Sequence, residues 1–194
     1  LENVAPQVGI DFQQHAFRTP RTTDPIGMMG GGVCWIDIDN DGWLDLLAVN
    51  SYSDLDYGYW LEQGGTPRTA LFRNRNGTFA DVSKTSGAGI RIRGNGCVAA
   101  DFNGDGSSDI YVTAAGNDAL LWNDGEGHFR EGARAAGITA WGWHAGAAVG
   151  DVNGDGRPDL FVAGYTDVNA PIPGSESGFP NSHLGVRDLL YVNL

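Results

Sequence analysis

Three times along the chain a run of small and apolar residues leads into a polar bend, and a second apolar run leads out of it. The entering runs cover residues 31–36, 96–100 and 146–150, and the leaving runs cover 44–49, 109–113 and 159–163. Such short apolar runs, bounded by glycine and aspartate, predict β-strands rather than helices. A third apolar run follows at 69–74, 119–123 and 189–193. After the first two of these, a glycine turn leads to a fourth run at 78–82 and 128–131. The turn Asn76-Gly77 matches a two-residue hairpin. Asn76-Gly77-Thr78 also fits a glycosylation sequon, but the hairpin accounts for it with less.

The bends begin at Asp37, Asp101 and Asp151, so their starts are 64 and then 50 residues apart. Four strands in a repeat of about 50 residues are the pattern of a propeller blade. The expected fold class is therefore all-β, with blades of four antiparallel strands. Blade one is expected over residues 30–90, blade two over 94–138, and blade three over 144–194 without its outer strand. Residues 1–10 align with 129–138, which predicts an outer strand of a preceding or last blade over 1–17. Three repeat units in this phase do not readily close a ring and would leave apolar faces and strand edges open. Either the span belongs to a longer propeller, which a start at Leu1 rather than Met favours, or another copy supplies the missing blades.

The bends share a spacing as well as acidity. They read Asp37-Ile38-Asp39-Asn40-Asp41-Gly42-Trp43-Leu44-Asp45, Asp101-Phe102-Asn103-Gly104-Asp105-Gly106-Ser107-Ser108-Asp109, and Asp151-Val152-Asn153-Gly154-Asp155-Gly156-Arg157-Pro158-Asp159. Side-chain oxygens stand at positions 1, 3, 5 and 9. Hard cations such as calcium take about six to eight oxygen ligands. Alternate side chains converge on one point only where the backbone turns sharply, and the glycine at position 6 permits that turn. Position 7 (Trp43, Ser107, Arg157) varies freely, as expected of a residue that offers only its backbone carbonyl. An EF-hand shares the first six positions but ends on a glutamate at position 12 and lies between helices. Here position 12 is Ala48, Val112 or Val162, and the flanks are strand-like. Acidic turns without metal are the rival reading, but carboxylates clustered without a cation repel one another.

The charge balance agrees. The formal net charge is −12, and the bends hold ten of the acidic residues, so three divalent cations would halve it. Lys84 is the sole lysine, and no basic patch exists to neutralise a nucleic-acid backbone. No apolar run reaches the length of a membrane span. Calcium sites of this kind need abundant calcium, which favours an extracellular or periplasmic setting at the cell surface.

With these residues in view, the loops resemble FG-GAP or VCBS repeats, which build the calcium-bearing propeller of integrin α-subunits. The segments Gly30 to Asp37, Trp141-Gly142-Trp143-His144-Ala145-Gly146, Leu71-Phe72-Arg73-Asn74 and Leu190-Tyr191-Val192-Asn193 are similar to the bacterial ASPIC/UnbV group, relatives of cartilage acidic protein. The resemblance implies three Ca2+ sites with ligands at positions 1, 3, 5, 7 and 9. It implies a role in adhesion, protein–protein interaction or assembly, with further blades as partners. Asn103 and Asn153 stand where the first loop has Asp39, so the extra carboxylate predicts that the first loop binds most tightly.

In an up-and-down blade the bends share one edge of the ring with the turns between strands three and four. The opposite edge carries the long insertions, residues 51–67 and 166–187, and the connections 17–29 and 138–144. Long loops on a rigid scaffold are common binding sites. Tyr57, Tyr59, Trp60, Trp141, Trp143 and His144 are the candidates there for a glycan or protein ligand, or else they pack the loops down. A glycan-binding lectin and an accessory propeller of a larger surface or enzyme complex are the alternatives to an adhesion module. Cys34 and Cys97 sit at opposite parity on equivalent strands, so they could meet across a blade interface as a disulfide or as buried thiols. No G-x-S-x-G elbow, HExxH helix or phosphate-binding glycine loop occurs, and the expectation is a protein without catalytic residues.

Overall fold

A computed structural model describes residues 1–15 and 24–194. Blade one is an antiparallel sheet in the order β1 (Gly32–Ile36), β2 (Asp45–Val49), β3 (Ala70–Arg75), β4 (Thr78–Asp81). Blade two repeats it with β5 (Gly94–Ala100), β6 (Asp109–Asn117), β7 (Ala119–Asn123) and β8 (Phe129–Glu131). Blade three contains β9 (Trp141–Gly150) and β10 (Asp159–Gly164). After β10 comes a separate ribbon of β11 (Thr166–Pro171) and β12 (His183–Gly185), and then β13 (Leu189–Tyr191), which pairs with β10. The fold is all-β and propeller-like, with the four-strand order expected from the repeat. The Asn76-Gly77 hairpin is present, both residues having positive φ (54° and 84°).

The blades stack as wedges because alternate residues of one strand serve two neighbours. On β6, Ile110 and Val112 join Ile36, Leu47, Leu71 and Leu121 in the core between blades one and two. Tyr111, between them in sequence, faces Leu120, Leu160 and Val162 in the core between blades two and three. Each fully buried aliphatic side chain contributes roughly 1.5–3 kcal/mol. The innermost strands need small residues, because their backbones touch near the axis. A Cβ on Gly32 would lie 2.8 Å from the Gly96 Cα. The disulfide Cys34–Cys97 joins β1 to β5 at the same level, with a Cα–Cα separation of 5.7 Å.

Blades two and three are also joined by hydrogen bonds. β6 leaves β5 after Ala114 and pairs with the start of β9, Ala115 opposite Trp143 and Asn117 opposite Trp141. Residues expected to be loop on the insertion edge are therefore strand.

A second motif repeats after each outer strand. A side-chain oxygen of Asn3, Asp81 and Glu131 accepts the backbone N–H two residues on, at 3.2, 2.9 and 2.8 Å. A helical turn follows in two copies, α1 (Ala5–Val8) and, after α2 (Pro25–Met29) and α3 (Tyr57–Glu62), α4 (Ser83–Ser86). All three copies end on a glycine at positive φ: Gly9, Gly87 and Gly137. Gly9 presses on the Phe79 carbonyl of blade one and Gly87 on the Phe129 carbonyl of blade two, where a Cβ would sit at 2.3 and 2.4 Å. A Cβ on Gly137 would meet no atom within 4 Å among the described residues. The alignment of the first ten residues with 129–138 thus holds for this turn. The outer strand expected over 1–17 does not form in residues 1–15, and residues 16–17 lie outside the described residues, as does the connection up to residue 23.

Candidate metal centre

Each bend is held by its own carboxylates before any ion is considered. The position-1 aspartate accepts the N–H of the position-6 glycine: Asp37 from Gly42, Asp101 from Gly106 and Asp151 from Gly156, at 2.9, 2.8 and 2.8 Å. The position-5 aspartate accepts the N–H of position 7: Asp41 from Trp43, Asp105 from Ser107 and Asp155 from Arg157. These bonds wind the backbone of each bend and fix the position-7 amide; in the first loop they accompany convergence of positions 1, 3 and 9, while Asp41 at position 5 stays exposed. Glycine is required at position 6, where φ is 86°, 89° and 85°. At position 4 the second and third loops use Gly104 and Gly154 at positive φ, and the first uses Asn40 at 54°. The amide bonds also tune charge. The Ser107 N–H holds Asp105 below the usual carboxylate range, and the Gly156 N–H does the same for Asp151.

Position 9 is different. Asp45, Asp109 and Asp159 are buried. One oxygen accepts the N–H of position 2 in its own loop: Ile38 at 2.8 Å, Phe102 at 3.0 Å and Val152 at 2.9 Å. The other accepts the N–H of an asparagine closing the third strand: Asn74 at 2.6 Å, Asn123 at 2.9 Å and Asn193 at 2.8 Å. Burial pushes Asp109 up to about 6 and raises Asp45, against the opposing pull of these amides. The position-9 carboxylate is therefore a structural pin as well as a candidate ligand.

Those asparagines were visible in the sequence only as a repeated strand ending. The side chains of Asn123 and Asn193 tie one loop to the next. Asn123 Nδ2 donates to the Ser108 carbonyl of its own loop and to the Ile38 carbonyl of the first, at 3.0 and 2.9 Å. Asn193 Nδ2 donates to Pro158 and to Phe102 of the second loop. The recurrence of asparagine at one repeat position was the signal that could have assigned them this role.

The first loop gathers the densest donor set. Single carboxylate oxygens of Asp37, Asp39 and Asp45 all lie within 4.8 Å of one another. The Asp39 side chain is 9% exposed, and its Oδ1 is buried without a hydrogen-bond donor among the described residues. An anionic oxygen left so is costly unless a cation completes it. The donor set is all oxygen and carboxylate-rich, which fits a hard divalent ion. The other Asp39 oxygen pairs with the Arg73 guanidinium, a partner the sequence reading did not assign. In the second and third loops the equivalent amides of Asn103 and Asn153 instead donate to Asp105 and Asp155, at 2.9 and 3.0 Å.

The insertion edge divides the six aromatic and histidine candidates. Trp141 is 62% exposed and Tyr57 is exposed. Tyr59 and Trp60 are half-buried on α3, with Trp60 edge-on to His15 and Tyr59. Trp143 and His144 are buried, although Trp143 still lines the cleft near Trp141. Trp143 stacks on Phe179 and meets Tyr165 edge-on. His144 Nδ1 lies 2.7 Å from Asp118 Oδ2, an oxygen that also accepts the Tyr111 hydroxyl. Trp143 lies in the extra β6–β9 pairing, and His144 pairs with Gly164 of β10. Near Trp141 is a cleft of about 260 Å³ lined also by Asp54, Arg93 and Asp167.

A family model described as FG-GAP-like repeat matches residues 37–112 and again 101–162. The two matches span all three loops. No curated protein matches the chain. No helix among the described residues is long and apolar enough to cross a membrane.

Proposed function

Because the chain belongs to the FG-GAP-like repeat family, we propose that its three acidic loops are structural Ca2+ sites of a non-catalytic interaction module. The module works outside the cytoplasm, in adhesion or assembly, with a protein ligand on the insertion edge. The carrying observation is the buried, donorless Oδ1 of Asp39 beside Asp37 and Asp45. Asp37, Asp39, Asp41, Asp45 and the Trp43 carbonyl would hold one ion. The equivalent residues of the loops starting at Asp101 and Asp151 would hold the others. Bound calcium would supply charge neutralisation and a fixed turn between two strands, with no chemistry on a substrate. The Cys34–Cys97 disulfide supports an oxidising compartment.

Calorimetric titration of the chelator-treated protein tests this. Three calcium equivalents and a melting temperature raised by many degrees are expected, with magnesium restoring it poorly. Unchanged stability on chelation would remove the structural role.

A glycan ligand is the second reading, favoured by exposed Trp141 at the mouth of the cleft beside Asp54 and Arg93. Glycan-array signals lost in Trp141→Ala would select it. Further blades, from the same longer chain or from another copy, are partners in either case.

A further inference from the structure

The first loop carries one more carboxylate than the others, which by charge alone would make it the tightest site. The structure places a second difference in the same blade. Register aligns Arg73 on β3 with Trp122 on β7 and with Val192 just after β13, each preceding the asparagine that pins position 9. So where the loop gains a carboxylate, Asp39 in place of Asn103 and Asn153, the neighbouring strand gains a guanidinium, and the two are paired. Four carboxylates and one arginine leave the first loop with a net charge of −3, the same as the second loop; the third, with three carboxylates and Arg157 at position 7, carries −2.

We propose that Arg73 sets the cation affinity of the first loop, lowering it from that of a four-carboxylate site to the level of the three-carboxylate second loop. This rests on the calcium reading above. The guanidinium takes one oxygen of Asp39, the other is buried with no donor among the described residues, and a carboxylate oxygen of Asp39 lies within 4.8 Å of single oxygens of Asp37 and Asp45. Asp39 can then serve a cation through a single oxygen, with much of its charge already offset. A positive group a few ångströms from a divalent ion opposes binding at any dielectric between protein and water. Arg73 also holds Asp39 inward when no cation is present, so the loop keeps its shape while the site is empty of charge compensation from a metal. The second loop reaches the same end with a neutral amide at position 3.

The test uses the whole chain and calcium alone as ligand. Calorimetry counts the sites, and calcium competition against terbium reads the first loop through Trp43, with Trp43→Phe assigning that signal against the one from Trp122. Arg73→Val copies the third blade and should tighten the first loop by about tenfold or more. Arg73→Lys should stay within about threefold of wild type. Asp39→Asn alone should weaken the loop, because Arg73 is then uncompensated. The double variant Asp39→Asn with Arg73→Val leaves three carboxylates and no arginine, the charge set of the second loop, and should return near wild type. Equal or weaker binding in Arg73→Val, with a double variant no tighter than either single one, would show Arg73 to be only a packing residue. In that outcome three calcium ions still bind and the calcium reading stands. Absence of calcium from every loop of the wild type would instead remove that reading, and this inference with it.

Discussion

Asn123 and Ile38 stand eighty-five residues apart, yet the Asn123 side-chain amide donates to the Ile38 carbonyl at 2.9 Å. The bond ties the third strand of one blade to the acidic loop of the blade before it. Asn74 closes its strand in the same way, but its amide reaches only Leu44 of its own loop. We expect Asn123→Ala to cost about 2–3 kcal/mol, and about 1 kcal/mol more than Asn74→Ala, because it leaves a cross-blade carbonyl unpaired. Urea unfolding of the two variants under one calcium concentration checks the difference.

The pH response follows from Asp109, which burial pushes up to about 6 from an ordinary 3.8. Without cation, the folded protein keeps a proton there that the unfolded chain has already released. The stability this group contributes is therefore full below about 4 and lost as pH rises through about 6. A cation needs the carboxylate, so calcium affinity of the second loop should fall as pH drops below about 6. Melts with chelator at pH 4.5 and 7.5, taken as the difference between wild type and Asp109→Asn, read the first effect. Titration with calcium at the same two values reads the second, and the two trends must have opposite sign.

Reduction probes the inner strands. Cys34–Cys97 closes a loop with a sequence separation of 63. Opening it by Cys34→Ala with Cys97→Ala should cost about 2–4 kcal/mol. Intact mass confirms the bridge, and unfolding midpoints measure its contribution. Because the bond links blades one and two alone, the loss should appear as earlier separation of blade one.

Much of this was legible in the chain. The period of the apolar runs gave the strands, and the nine-residue spacing gave the loops, since both are local. The parity of Cys34 and Cys97 was enough to place them on facing sides of adjacent blades, because side chains alternate strictly along a strand. What was not legible depends on which neighbour covers a residue. Trp143 and His144 read as edge residues because nothing in the sequence says that β6 runs on past Ala114 to pair with β9 at Trp143, or that His144 meets the buried Asp118. The insertion at 51–67 gave no strand signal and holds α3, a short helix without a long apolar period to announce it. Arg73 and Asp39 lie on a loop and a strand whose approach is a property of the folded blade.

Two glycines offer a matched pair. Gly87 and Gly137 share φ of 79°, but only Gly87 lies against a carbonyl, that of Phe129. Gly137→Ala should cost about 1 kcal/mol for the left-handed backbone alone. Gly87→Ala adds a clash with main chain that no side-chain rotation relieves, so it should cost at least about 2 kcal/mol more. Thermal melts of both variants decide it, and equal costs would mean that the contact with Phe129 is slack.

That contact has a wider consequence. The turn closing blade one is seated by the outermost strand of blade two, and the turn ending in Gly9 is seated by blade one. Like overlapping roof tiles, each unit is fastened only when the next is laid on it. The turns ending in Gly9 and Gly87 should then loosen only after the blade that seats each of them has frayed.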